Sequence, residues 1–211
     1  MPEQDVTGLI AVERRRAADL FASLTDEQLD SQSLCAQWSV RDIAAHLIGP
    51  FVISVPRFLA GSLVSGSMHR FSARETRRLA QRPIADIVAT LRANASTPFA
   101  PPGTGPLAPL ADLAVHTRDA ARPLGLNATA TPRAWRATLD FLASARAGRG
   151  FVRRGRLTGL RLTATDLDWT AGGGAEIRGP GEALALAVTG RTVALADLTG
   201  EGVATLRARL A

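Results

Sequence analysis

Two of the three histidines of this 211-residue chain stand in the segments Asp42-Ile43-Ala44-Ala45-His46-Leu47 and Asp112-Leu113-Ala114-Val115-His116. In the second, a carboxylate precedes the imidazole by four residues. Two imidazoles and one carboxylate suffice to hold a divalent metal that keeps a coordination position open. Residues four apart share a helix face, so Asp112 and His116 can present an oxygen and a nitrogen to one point. His46 lies among Ile43, Ala44, Leu47 and Ile48, a setting natural to a bundle core, and metal sites in bundles are built from inward side chains of neighbouring helices. Plainer readings compete. A histidine on an apolar face is more often a hydrogen-bonded core residue, and a D-x-x-x-H spacing recurs by chance.

Other residues with chemical potential read more blandly. His69, in Ser67-Met68-His69-Arg70, belongs to a polar linker and is expected to be solvated. Cys35 is a soft ligand or redox thiol in principle, but its neighbours Leu34 and Trp38 favour simple packing. Trp38 is expected to anchor the entry to a helix. Gly172-Gly173-Gly174 follows one strand and precedes another, so it is a turn and not a phosphate cradle.

These residues need helices to place them. Apolar spacing predicts a first helix over residues 5–24, with Leu9, Val12, Leu20, Phe21 and Leu24 inward and Arg14-Arg15-Arg16 as an exposed stretch. Ser39 is the expected N-cap of a second helix running from Val40 through His46 to about residue 59, with Asp42 reaching back to free N–H groups. Gly49-Pro50 and Pro56 are sources of a kink or an early end. A third helix is expected over residues 73–95 with Pro83 as a local defect. The Pro- and Gly-rich stretch 97–109 is a loop. A fourth helix runs from about Leu107 or Leu110 to Ala121 and is stopped near Pro123-Leu124-Gly125, and a fifth starts at Thr131-Pro132 and continues to about residue 147. After Gly148-Arg149-Gly150 the pattern changes. Residues 159–169 read as a strand, 176–178 as a second, and 182–189 and 200–210 as helices. The expected division is a helical domain, residues 1–150, and a small α+β domain, residues 151–211, too small to be stable alone.

Composition narrows the function classes. No apolar run reaches the roughly 18 residues of a membrane span, and the first 20 residues lack the pattern of a secretory leader, so the cytoplasm is the expected location. A single cysteine cannot form an intrachain disulfide. The formal charge of +6 suggests a polyanion partner at first, but all 25 basic residues are arginine, a bias that fits GC-rich coding. The arginines are scattered among acids such as Glu13, Asp19 and Glu75. Neither a basic stripe with stacking aromatics nor a nucleic-acid module is visible, so no nucleic acid and no membrane is expected as a partner.

The segment from Leu29 to His46 (LDSQSLCAQWSVRDIAAH) resembles the first signature of the mycothiol-dependent maleylpyruvate isomerase family, a branch of the DinB-like metal-binding helix bundles of actinobacteria. The segment from Asp112 to Gly125 (DLAVHTRDAARPLG) is similar to its second signature. GLRLTATDLDW at residues 159–169, with Gly179-Pro180-Gly181-Glu182-Ala183-Leu184 and Gly190-Arg191, resembles its small C-terminal domain of sterol-carrier-like α/β character. The resemblance implies a mainly α fold, an up-down four-helix bundle with an extra helix followed by a small α+β domain. It also implies a divalent metal, usually zinc, held by His46, Asp112 and His116. The family acid is normally glutamate. Asp112 is one methylene shorter, so the metal distance is recovered by a closer helix approach or by a water. The family further uses an arginine of the C-terminal domain near the active site, for which Arg191 is the best match and Arg178 the alternative.

The expected activity is that of a metal-dependent enzyme activating the low-molecular-weight thiol mycothiol, since the thiolate is the reactive nucleophile near neutral pH. In an isomerase the sulfur adds to a conjugated double bond, allows rotation and leaves; in a transferase it stays attached. Arg191 would bind a carboxylate of substrate or thiol. The competing expectation is a non-catalytic, metal-stabilised bundle that binds a small apolar ligand or a regulatory protein. DinB-like bundles often pair, so a homodimer is also expected.

Overall fold

A computed structural model describes residues 3–100, 103–148 and 150–211. Pro101 and Pro102 of the expected loop and Arg149 of the expected boundary lie outside the described residues. The fold is mainly helical, with a small three-stranded sheet near the C-terminus. Contacts cluster the chain into two compact units, one of residues 1–9, 100–115 and 129–211, the other of residues 10–99 and 116–128. Helices α1 (Glu3–Ser23) and α7 (Ala108–Ala121) are each continuous through that division.

The second of these units contains α2 (Asp26–Asp30), α3 (Val40–Val52), α4 (Val55–Val64), α5 (Met68–Leu79) and α6 (Ile84–Ala93). Helix α3 packs against α5 and α6, and α4 against α5. Phe21, Leu29, Ile43, Ile48, Phe71, Leu79, Ile87 and Leu91 are fully buried here, each contributing about 1.5–3 kcal/mol by leaving water. The expected second helix breaks in two at Ile53-Ser54. Pro50 is accommodated in the last turn of α3, and Pro56 sits in the first turn of α4, where a missing N–H costs nothing. The expected third helix is also two. Pro83 is the N-cap of α6 and not a defect inside one helix, because its ring would clash with the preceding turn. His69 lies in the first turn of α5, not in a linker, and is exposed.

Arg14 corrects the first helix. It is buried at 5% exposure while Val12 is 43% exposed, the reverse of the expected pattern. Its guanidinium donates to the carbonyls of Asn94, Ala95 and Thr97 at 2.9, 3.1 and 2.7 Å and lies 4.8 Å over the ring of Phe51. It thereby caps the C-terminal end of α6, where carbonyls lack intrahelical partners and the dipole favours a cation. Burial pulls its pKa down to about 10, still far above neutrality.

The other unit holds α8 (Pro132–Leu142), strands β1 (Leu160–Ala164), β2 (Thr170–Gly172) and β3 (Ala175–Gly179), then α9 (Gly181–Val188) and α10 (Gly202–Leu210). Thr131 caps α8 with Pro132 at its start, as its sequence predicts. Strand order is β2-β1-β3, with β1 antiparallel to β2 and parallel to β3. The chain therefore passes beneath the start of β1 within three residues. Gly172 and Gly174 permit this: both have positive φ, and a Cβ on either would collide with the carbonyl oxygen of Leu160 or Gly159. The single expected strand over 159–169 stops at Ala164, since Asp166 turns to accept the Gly181 N–H at 2.8 Å and so caps α9. Helix α8 packs on α9. Trp169 Nε1 donates to Asp140 at 2.8 Å, and Arg136 to the Asp168 carbonyl at 2.9 Å.

Candidate functional site

The site begins at the entry to α3. Ser39 Oγ accepts from the Asp42 N–H at 3.2 Å, and Asp42 Oδ2 accepts from the Ser39 N–H at 2.9 Å, a reciprocal capping box that starts the helix where its sequence predicts. Seven residues after the cap, His46 reaches the helix face beside α7. The loop before the cap folds back on itself. Its Trp38 carbonyl accepts from Ser33 Oγ at 2.7 Å and from Gln32 Nε2 at 2.9 Å, and the Leu34 N–H donates to the Asp119 carbonyl of α7 at 3.0 Å. Trp38 and Cys35 are thus held against the helix that carries His116.

The imidazoles of His46 and His116 lie edge to face with centroids 4.7 Å apart. The Trp38 indole lies 4.8 Å from the His46 ring and 5.8 Å from the His116 ring, so it packs on both histidines as well as marking the helix entry. Asp112 stands one turn before His116 on α7. The potential ligand atoms of His46, Asp112 and His116 all lie within 4.8 Å of one another, and all three residues are half-buried.

His116 has a second set of neighbours. Its Nδ1 lies 2.9 Å from Oδ2 of Asp119, which is fully buried, and Cys35 Sγ donates to the same oxygen at 3.2 Å. Cys35 Sγ is 3.9 Å from His116 Nδ1. Cys35, His116 and Asp119 therefore form another group with metal-ligand chemistry.

A profile of the family described as "Mycothiol maleylpyruvate isomerase N-terminal domain" matches residues 10–169. The chain belongs to this family. Two crystal structures share the fold of this family member. They are the mycothiol-dependent maleylpyruvate isomerase, with a TM-score of 0.57 at 13% identity, and a histidine-to-alanine mutant of it, with 0.56 at 14%. Each alignment covers 95% of this chain and 93% of the other. No curated protein matches the chain.

The divalent metal expected from the sequence can be tested against the residues present. A tetrahedral ion with bonds of about 2.0–2.1 Å sets its nitrogen and oxygen ligands roughly 3.3 Å apart. The group His46, Asp112 and His116 has its ligand atoms within 4.8 Å of one another, up to about 1.5 Å wider than that spacing. Its neutral nitrogen and carboxylate donors suit a zinc-like ion, and its half-burial leaves an approach for another ligand. Asp112, though shorter than glutamate, reaches the group. In the Cys35, His116 and Asp119 group the ligand atoms lie 2.9, 3.2 and 3.9 Å apart, nearer to the tetrahedral spacing, but the carboxylate has no exposed surface and is already engaged by the ring and the thiol.

Arg191 belongs to the unit that contains the sheet. It donates to the Thr189 carbonyl at 3.0 Å, and Arg156 donates to the Val188 carbonyl at 2.9 Å, so both cations serve the C-terminal end of α9. Arg178 is exposed on β3. Sequence reasoning passed over Asp119. Its signal was present all the same, since Asp112, His116 and Asp119 fall at i, i+4 and i+7, one stripe of a helix.

Proposed function

We propose that the protein is a metal-dependent enzyme that activates a low-molecular-weight thiol, mycothiol, for addition to or transfer onto an electrophilic small molecule. The convergence of His46, Asp112 and His116 carries this reading, and membership of the mycothiol maleylpyruvate isomerase family supports it. His46 and His116 supply neutral nitrogens and Asp112 a charge that partly balances a divalent ion, most simply zinc. Bound there, such an ion would favour the thiolate form of an incoming thiol. Trp38, packed on both imidazoles, keeps water from one side of the pair and limits ring rotation. Arg191 is the guanidinium proposed to hold a carboxylate of the electrophile or thiol by paired hydrogen bonds. In isomerisation the sulfur would add to a conjugated double bond, allow rotation and leave. In transfer the carbon–sulfur bond would persist. Residues 1–150 are proposed to carry the metal and residues 151–211 the arginine.

The test is a mycothiol-conjugation and isomerisation assay before and after chelation. Activity that disappears with chelator, returns with zinc and is absent from His46→Ala supports the proposal. Activity indifferent to both rules it out.

One observation favours a second reading, a non-catalytic bundle that binds an apolar ligand or a regulatory protein. Helix α4 has no buried residue, and Val55, Leu59, Leu63, Val64 and Met68 are each at least 60% exposed. No single helix among the described residues is long and apolar enough to cross a membrane, and the apolar pair α3 and α4 is bent by 118°. Under this reading zinc binds, but no electrophile is consumed.

A further inference from the structure

We infer that Asp119 is a positioning residue that fixes the tautomer of His116. Its Oδ2 accepts from His116 Nδ1–H and from the Cys35 thiol, leaving Nε2 as the nitrogen with a lone pair for a metal shared with His46 and Asp112. The metal part of this inference rests on the proposed function; the tautomer does not.

Three observations lead there. The 2.9 Å separation of Nδ1 and Oδ2 is that of a hydrogen bond to a charged acceptor, and it is shorter than the roughly 3.3 Å between two ligands of a tetrahedral ion. Asp119 is fully buried, and a buried carboxylate is stable only when donors are aimed at it. The thiol is one such donor at 3.2 Å, and its own backbone is fixed, because the Cys35 N–H donates to Ser33 Oγ at 3.1 Å and its neighbour Leu34 donates to the Asp119 carbonyl at 3.0 Å. Cys35 is thus held as a donor to the carboxylate, and the Cys35, His116 and Asp119 group serves the metal-facing set and is not a second metal site. Geometrically this is the carboxylate–histidine arrangement that orients a ligating ring and raises its basicity. Helix α7 provides it in one stripe, with Asp112 one turn before the ring and Asp119 one turn after.

The first test needs no variant of the residue in question. Long-range proton–nitrogen correlation spectra of the metal-stripped, nitrogen-15-labelled full chain, above the titration range of imidazole, report which ring nitrogen of each histidine carries the proton. There are three histidines, and spectra of His46→Ala and His69→Ala assign them. The expected result is His116 with a protonated Nδ1 and a bare Nε2. Protonation at Nε2, or an even mixture, overturns the inference.

The second test is cobalt and zinc affinity by competition. Asp119→Asn is expected to weaken both about 10- to 100-fold, whereas Cys35→Ser keeps a donor to Oδ2 and stays within about threefold of wild type. Unchanged affinity in Asp119→Asn overturns the positioning role. So does a sulfur-to-cobalt charge-transfer band that vanishes in Cys35→Ser, because Cys35 would then be a ligand. If the wild type binds neither ion, the proposed function fails, and the tautomer measurement still decides this inference.

Discussion

Glu75 and Asp119 are both buried carboxylates of the same compact unit, yet they are held by different kinds of partner. Glu75 accepts from Arg57 at 3.0 and 3.2 Å and from Arg78 at 3.0 Å, and both arginine side chains are 53% exposed. Asp119 bonds to a histidine ring and a thiol, short groups with little freedom. Long exposed arginines can be rearranged at small cost, so the first arrangement straps α4 to α5 and tolerates movement. Short rigid donors transmit orientation. A carboxylate that fixes a half-buried imidazole 4.7 Å from a second one prepares a site; a carboxylate between two arginines secures a scaffold.

The sharpest way to break this comparison is to remove the rings. His46→Ala or His116→Ala should weaken zinc by more than about 100-fold, since each removes a full share of the binding free energy. Glu75→Gln should leave zinc affinity within about twofold, as competition titration would show. Asp112 comes next. Asp112→Ala should cost about 100-fold, whereas Asp112→Glu, which supplies the longer acid expected from the family resemblance, should stay within about tenfold of wild type. Unchanged zinc affinity in Asp112→Ala would remove Asp112 from the site.

The opposite arm of the comparison concerns stability. Burial pushes the Glu75 carboxyl up, but the hydrogen bonds and charges of Arg78 and Arg57 outweigh it and hold the group below the usual carboxylate range. Its contribution is therefore complete above the pKa of the unfolded chain, about 4.3, and is lost as pH falls through the lower folded value. Glu75→Gln should destabilise by about 1–3 kcal/mol at neutral pH, with the difference from wild type shrinking on acidification in urea titrations. A deficit that grows toward low pH would refute the ion-pair account. The smallest effect is expected for Cys35→Ala, a loss of zinc affinity of no more than about fivefold.

Local signals were the legible ones. The Ser39 and Asp42 capping box, the Thr131-Pro132 start and the i, i+4 pairing of Asp112 with His116 all depend on residues within one turn of each other. Arg14 was misread because its partners, three carbonyls at residues 94 to 97, are distant in sequence and turn an apparently solvated charge into a buried cap. An early end near Pro50 and Pro56 was legible as one possibility and Pro83 only as a defect within a helix, because the choice between kink and break depends on how α4 and α6 pack. The close passage of Gly172 and Gly174 under β1 could be read only as a turn, since parallel pairing of β1 with β3 is a tertiary fact. The approach of His46 to His116 likewise depends on two helices meeting. Composition and spacing leave that open, and the resemblance to a metal-binding family implied it.

Zinc content per chain, measured by elemental mass spectrometry on purified wild type and on the His46→Ala/His116→Ala double variant, tests the central claim most directly. The expected result is about one zinc per wild-type chain and none in the double variant. Wild-type protein without stoichiometric metal, or metal retained after both histidines are replaced, would contradict it.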